Sequence, residues 1–204
     1  MQKYGYSGKG LGRNEDGIRE PIHVEKKTSF QQSQLNRSLW PKNTVLIAGD
    51  SMLNHIRERQ LSTRNMPVKV RANPGATIED MRHHLTALLR KKPTYVILHA
   101  SANDAPNENK TAEGIYYELL DLKKYAECLV PGVKVILSCP MIRNDDCNAN
   151  AKVIHIRAML RSSGMDIITN ENIGFELLNL KGLHLSNEGN RCFTANLGSY
   201  LTRL

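Results

Sequence analysis

Four residues in this 204-residue chain suit acyl-transfer chemistry: Ser51, Gly75, Asn103 and His184. A serine hydroxyl becomes a nucleophile when an imidazole takes its proton, and the imidazole can then pass that proton to a leaving group. The N–H groups of Ser51 and Gly75, with the Asn103 side-chain amide, are donors of the kind that hold a tetrahedral oxyanion. Each residue also has a plainer use. Ser51 suits a helix cap, Gly75 a turn, Asn103 a cap, and His184 an exposed surface position. Their placement along the chain favours the chemical reading.

Apolar, strand-like runs alternate with helical patterns from Thr44 onward. Val45–Ala48 is short and wholly apolar, Gly49-Asp50 breaks it, and Ser51 stands at an N-cap position before a helix predicted over 51–61. Val68–Ala72 is the second strand. Thr77-Ile78-Glu79-Asp80 resembles a capping box, and Ile78, Met81, Leu85, Leu88 and Leu89 give the next helix one apolar face. Tyr95–His99, Val133–Leu137 and Asp166–Thr169 are further strands, separated by helices through Ile115–Leu129 and Asn148–Ser162, with a last helix from Ser186. Five strands with helical crossovers predict an α/β fold, a three-layer α/β/α sandwich around a flavodoxin-like five-stranded parallel sheet. Ser51, Gly75 and Asn103 follow the first three strands and His184 the fifth. In a doubly wound sheet these loops meet along one edge.

The blocks Gly49-Asp50-Ser51, Asn73-Pro74-Gly75-Ala76, Ser101-Ala102-Asn103-Asp104 and Gly182-Leu183-His184-Leu185-Ser186 resemble those of the SGNH (GDSL-like) hydrolases over about residues 44–204. That resemblance implies the SGNH hydrolase fold, with Ser51 as nucleophile, His184 as base, and Ser51, Gly75 and Asn103 as oxyanion donors. It implies an ester substrate, lipid or acetylated sugar, and no metal or organic cofactor. Gly-Asp-Ser-Met and Gly-Leu-His-Leu-Ser look most like the esterase-like domains of retrotransposon proteins. The sequence departs from the family in two places. Ser101 stands where the family has glycine, and Lys181 stands three residues before His184, where the family has aspartate. A lysine there disfavours an imidazolium, and loss of the acid from a serine triad costs about 10⁴ in turnover. A Ser–His dyad, rescue by Glu176 or Glu188, and a lapsed domain serving nucleic-acid binding or scaffolding are the alternatives.

The head of the chain differs in kind. Five of the 14 glycines lie within residues 4–22, interleaved with Tyr4, Tyr6, Lys9, Arg13 and Arg19. Glycine at this density opposes helix and lets backbone lie against a partner, while the tyrosines and cations suit bases and phosphates. Gly10-Leu11-Gly12, followed by Asn14, Gly17, Glu20, Pro21 and Ile22, closely resembles a G-patch, a family associated with RNA binding and docking onto RNA helicases. The family's upstream helical part is missing, which implies a fragment of a longer protein. Residues 1–43 and 44–204 each carry +4 of the net +8, so the head is several times denser in positive charge. The expected organisation is a partial G-patch-like segment over 1–24, a Gln-rich linker over 25–43 with Trp40 as an anchor on the domain edge, and the hydrolase-like domain over 44–204.

With 40% hydrophobic and 24% charged residues, the composition is that of a globular protein. No apolar run reaches bilayer length and no signal-peptide pattern opens the sequence. Cys128, Cys139, Cys147 and Cys192 have no metal-type spacing and read as reduced thiols. An intracellular protein, cytoplasmic or nuclear, is expected, and the acceptor patterns at Asn36 and Asn109 are discounted accordingly.

Overall fold

The computed structural model describes residues 39–204 and, before them, the backbone of two short strands, β1 (Leu11–Arg13) and β2 (Arg19–Pro21). The chain divides into two compact units, Met1–Ser38 and Leu39–Leu204. In the first, β1 and β2 pair antiparallel, with Gly12 opposite Glu20 and Arg13 opposite Arg19. Tyr4, Tyr6 and Lys9 lie outside the described residues.

The second unit is a doubly wound sheet. Strands β3 (Val45–Gly49), β4 (Val68–Ala72), β5 (Tyr95–His99), β6 (Lys134–Ser138) and β7 (Ile167–Ile168) lie in the order β4-β3-β5-β6-β7, all parallel. Helices α1 (Glu58–Leu61), α2 (Ile78–Leu89), α3 (Ala112–Leu129), α4 (Cys147–Ser162) and α5 (Asn187–Leu201) cover both faces. Successive strand residues point to opposite faces, so each apolar strand feeds two cores. Leu46, Ala48, Val96, Leu98, Val135 and Leu137 pack with α2, α3 and α4. Val45, Ile47, Ile97 and Ile136 pack on the other side with Leu61 of α1 and Phe193, Leu197 and Tyr200 of α5. Among the described residues no helix is long and apolar enough to cross a membrane.

Local signals set most element ends. Thr77 and Asp80 form the full reciprocal capping box that starts α2, and Ser186 caps α5 through the Gly189 N–H. Trp40 packs against the first core, donates its backbone N–H to the Lys91 carbonyl at 2.9 Å and lies 5.5 Å beneath the Lys91 ammonium.

One predicted element is corrected. No continuous helix spans 51–61: a 3₁₀ turn over Ser51–Leu53 ends at Asn54, Arg57 is extended, and α1 occupies four residues. The cap is Asp50 rather than Ser51, because the Asp50 carboxylate accepts the Met52 N–H at 2.9 Å. Both residue types cap well, and the one that comes first takes the position.

Candidate active site

The carboxyl edge of the sheet is stitched together through β3. Asn73 N–H donates to the Gly49 carbonyl at 2.8 Å and Asp50 N–H to the His99 carbonyl at 3.1 Å, which joins the loops after β3, β4 and β5. Gly49 is required for this approach, since a Cβ there would lie 2.1 Å from the His99 carbonyl oxygen. The chain therefore leaves β3 tightly bent, with Asp50 buried and Ser51 on the first turn.

Because Asp50 takes the cap, the Ser51 hydroxyl is released to face another loop. Its Oγ lies 3.4 Å from Nδ1 of His184, 133 residues away in sequence. This is longer than a formed O–H···N bond, as resting catalytic contacts often are before substrate binds. As the first residue of the turn, Ser51 also has an N–H with no acceptor inside it. A cavity of about 190 Å³ surrounds the pair, lined by Ser51, Met52, Asn54, His55, Asn179, His184, Leu185 and Asn190.

His184 is exposed and sits on a turn held by backbone bonds. Asn179 N–H donates to the His184 carbonyl at 2.6 Å, Gly182 N–H to the Asn179 carbonyl at 2.8 Å, and Asn144 N–H to the Gly182 carbonyl at 2.7 Å. Gly182 needs its positive φ of 69°, and a Cβ there would press on the Asn144 backbone at 3.0 Å. Lys181 is exposed on the same turn. Among the described residues no carboxylate pairs with His184. Glu188 pairs with Arg191 at 2.7 Å, and Glu176 folds back over Gly174 in the 3₁₀ turn Phe175–Leu177. The ring presents Nδ1 to the serine, whereas an acid-oriented triad presents Nε2 and keeps Nδ1 for the acid.

Gly75 and Asn103 lie on the neighbouring loops. Asn73-Pro74-Gly75-Ala76 closes with Ala76 N–H on the Asn73 carbonyl at 3.1 Å, and Gly75 has φ 77°. Proline then glycine at the centre is the type II signature, which leaves the Gly75 N–H outside the closing bond. Asn103 donates one amide hydrogen to the Ala76 carbonyl at 2.9 Å and retains a second. These two loops are thus joined to each other, and neither residue lines the cavity that holds Ser51 and His184. Arg13 and Arg19 belong to the separate N-terminal unit, as strand residues of β1 and β2.

Several supporting residues carry no sequence signal of their own. Asp104 is buried, accepts the Ile78 N–H at 3.0 Å and pairs with Lys110 at 2.8 Å, so it locks the loop after β5 to the start of α2. Burial pushes the Asp104 carboxyl up, against the pull of Lys110. Burial opposes charge on Lys110, but the hydrogen bonds it donates to Asp104 and Glu118 outweigh it and hold the ammonium above its ordinary value. Arg143, also buried, donates to the Ala102 carbonyl at 3.0 Å and makes a two-pronged contact with Asp145 at 2.6 and 2.7 Å. The Asp145 bond holds the guanidinium above its usual range. The loop after β6 therefore grips both the Asn103 loop, through Ala102, and the His184 loop, through Gly182. Behind the site, burial pushes the His99 imidazole down while the Asp50 charge opposes that shift.

Comparison with known proteins bears on the fold of this unit. The lipase/acylhydrolase of Enterococcus faecalis superposes with a TM-score of 0.63 at 20% identity, covering 79% of this chain and 97% of that one. A GDSL-like lipase of Bacteroides thetaiotaomicron gives 0.64 at 14% identity, over 85% and 97%. A carbohydrate esterase family 3 protein of Talaromyces cellulolyticus gives 0.60 at 16%, over 78% and 96%. Residues 39–204 have the SGNH hydrolase fold. The G-patch domain model matches residues 1–29, and no curated protein matches the chain. The chain thus joins a G-patch segment to an SGNH-type unit.

Proposed function

We propose that this protein is a serine ester hydrolase of the SGNH type working with a Ser51–His184 dyad, preceded by a G-patch that engages RNA or an RNA helicase. The observation that carries the reading is the 3.4 Å approach of Ser51 Oγ to the His184 ring, made possible because Asp50 rather than Ser51 caps the turn. In the reaction His184 takes the Ser51 proton as Oγ bonds to the acyl carbon. The oxyanion draws on the Ser51 and Gly75 N–H groups and the free Asn103 amide hydrogen. Collapse breaks the ester C–O bond, His184 protonates the departing alcohol, and water then releases the acid from Ser51 by the same steps.

The proposed substrate is a lipid or sugar ester, by analogy with the lipases and carbohydrate esterase that share the fold. The four cysteines are unpaired, which fits an intracellular protein. The joined G-patch and SGNH-type units also fit a retroelement origin. A second reading, an inactive binding or scaffold domain, is favoured by the exposed Lys181 and by His184 having no carboxylate partner among the described residues.

A fluorophosphonate probe separates the two readings. Labelling of the native protein that Ser51→Ala and heat denaturation both abolish supports the hydrolase. Equal labelling of native and denatured chains refutes it.

A further inference from the structure

The cavity at Ser51 opens onto a larger groove of about 700 Å³, with Asn54, His55 and Asn190 belonging to both. One wall is the segment from Asn54 to α1, carrying Arg57 and Gln60. The other is the first half of α5, carrying Asn187, Arg191 and Thr194. The walls approach closely because Gly198 of α5 sits against Leu61 of α1, with a Cβ at Gly198 only 3.7 Å from Leu61 Cδ2. Leu61, Ala195 and Gly198 supply the apolar lining; among the described residues no carboxylate and no Phe, Tyr or Trp lines the groove, and His55 adds an imidazole. Glu58, adjacent to Arg57 in sequence, points away to Lys69 and Arg71.

We propose that this groove binds the alcohol side of the ester, and that the alcohol is a polyhydroxylated group bearing a negative charge, held by Arg57 and Arg191. This rests on the ester-hydrolase reading and adds the class of substrate to it. A long acyl chain needs an apolar wall, which the groove lacks, so the acyl group belongs in the small cavity with Met52 and Leu185. The amides and hydroxyl of Asn54, Gln60, Asn187 and Thr194 suit the hydroxyls of a sugar-like partner. Guanidinium groups without an acid among the lining residues suit a carboxylate or phosphate on it. Arg191 is shared with Glu188, which stands outside the groove lining, so that carboxylate competes with the ligand.

The test is a binding titration followed by NMR on the full chain carrying Ser51→Ala, with three probes that contain no ester. These are trigalacturonate for the carboxylate, glucose 6-phosphate for the phosphate, and xylotriose as the neutral control. One anionic probe should bind, and Arg57→Gln and Arg191→Gln should each weaken it roughly tenfold, as loss of one charge-assisted hydrogen bond does. Whichever anionic probe binds identifies the source of the charge. Glu188→Gln should tighten it, because Arg191 then has no competing partner, an effect in the direction opposite to structural damage. Anion binding through the basic head is insensitive to all three substitutions and so is recognised separately. Equal binding of xylotriose, or indifference to both arginine substitutions, overturns the proposal. Tighter binding of a short single-stranded RNA with the same arginine dependence overturns it in favour of nucleic acid. Binding as expected in a protein that fluorophosphonate never labels leaves the groove standing and removes only the catalytic reading.

Discussion

The two halves of the candidate site are built differently. On the oxyanion side, the loops after β4 and β5 are fastened by two buried charged residues and an amide: Asp104 holds Ile78 and Lys110, Arg143 holds Ala102, and Asn103 holds Ala76. On the base side, His184 rides an exposed turn secured by backbone bonds, with Leu180 fully exposed at its tip and Lys181 beside it. The part that would receive charge is rigid before any substrate arrives, as electrostatic stabilisation requires. The part that would move a proton has, among the described residues, no acid to orient it.

The largest expected effect breaks that contrast on its rigid side. Asp104→Ala leaves the Ile78 N–H unpaired and strips Lys110 of its buried partner, and should cost about 3 kcal/mol, the lower end for a broken buried pair since Lys110 is partly exposed. Leu180→Ser on the opposite turn should stay within about 0.5 kcal/mol. Urea unfolding of both variants compares them directly. Similar losses would mean that the two halves are equally tied.

Next in size is a change on the base side. Lys181→Asp places a carboxylate three residues before His184 and should raise hydrolysis of a short-chain p-nitrophenyl ester, with the gain lost again in Ser51→Ala. The gain requires the ring to turn so that Nε2 meets Ser51 and Nδ1 meets the acid. It should reach a few hundredfold at most, about 3 kcal/mol of barrier, because orientation is part of what the triad acid supplies. A Ser51-dependent wild-type rate that Lys181→Asp does not change would show that another group already serves His184.

A smaller effect sharpens the account of Lys110. Its folded-state pKa is raised, so the stability it contributes is fully present below its unfolded value near 10.4 and is lost as pH rises through the folded value. Urea midpoints measured between pH 9 and pH 12 should therefore fall less steeply in Lys110→Met than in the wild type. The difference should be small, because the ammonium is partly exposed and solvent screens its pairs. Parallel curves would assign the Asp104 anchor to its backbone bond alone.

Legibility in the sequence divides along the same line. Strand alternation, the capping box at Thr77 and the Ser186 cap are local patterns, and each appears in the fold where the residues imply it. The helix expected over 51–61 breaks between Asn54 and Arg57, and its cap falls to Asp50 because Asp50 and Ser51 are both good caps that sequence alone does not rank. Arg143 gave no signal at all. Its value depends on burial against Ala102 in a loop without periodicity, and a lone arginine reads as surface. The arginine groove is equally silent, because it exists only once α5 packs against α1. Repeating patterns specify elements, while contacts between distant loops depend on the assembled fold.

The smallest effect tests the one strained joint on the rigid side. Ser101 has φ 97°, a region that favours glycine, and the SGNH resemblance places glycine at this position. The residue is fully buried and its Oγ has no hydrogen-bond partner, so backbone strain and an unmet hydroxyl act together. Ser101→Gly removes both and should stabilise the protein by about 1 kcal/mol, a net figure because glycine frees the unfolded chain and leaves a small void. For a unit of this size that is about 2–4 °C in Tm. Ser101→Ala separates the two contributions, since it deletes the hydroxyl and keeps the strained Cβ. A stabilisation seen in glycine and absent in alanine assigns the cost to backbone strain. Equal gains in both assign it to the buried hydroxyl. A loss of Tm in both would mean that the Ser101 hydroxyl supports the loop carrying Asn103, and that the departure from glycine is an adaptation of this site rather than a fault in it.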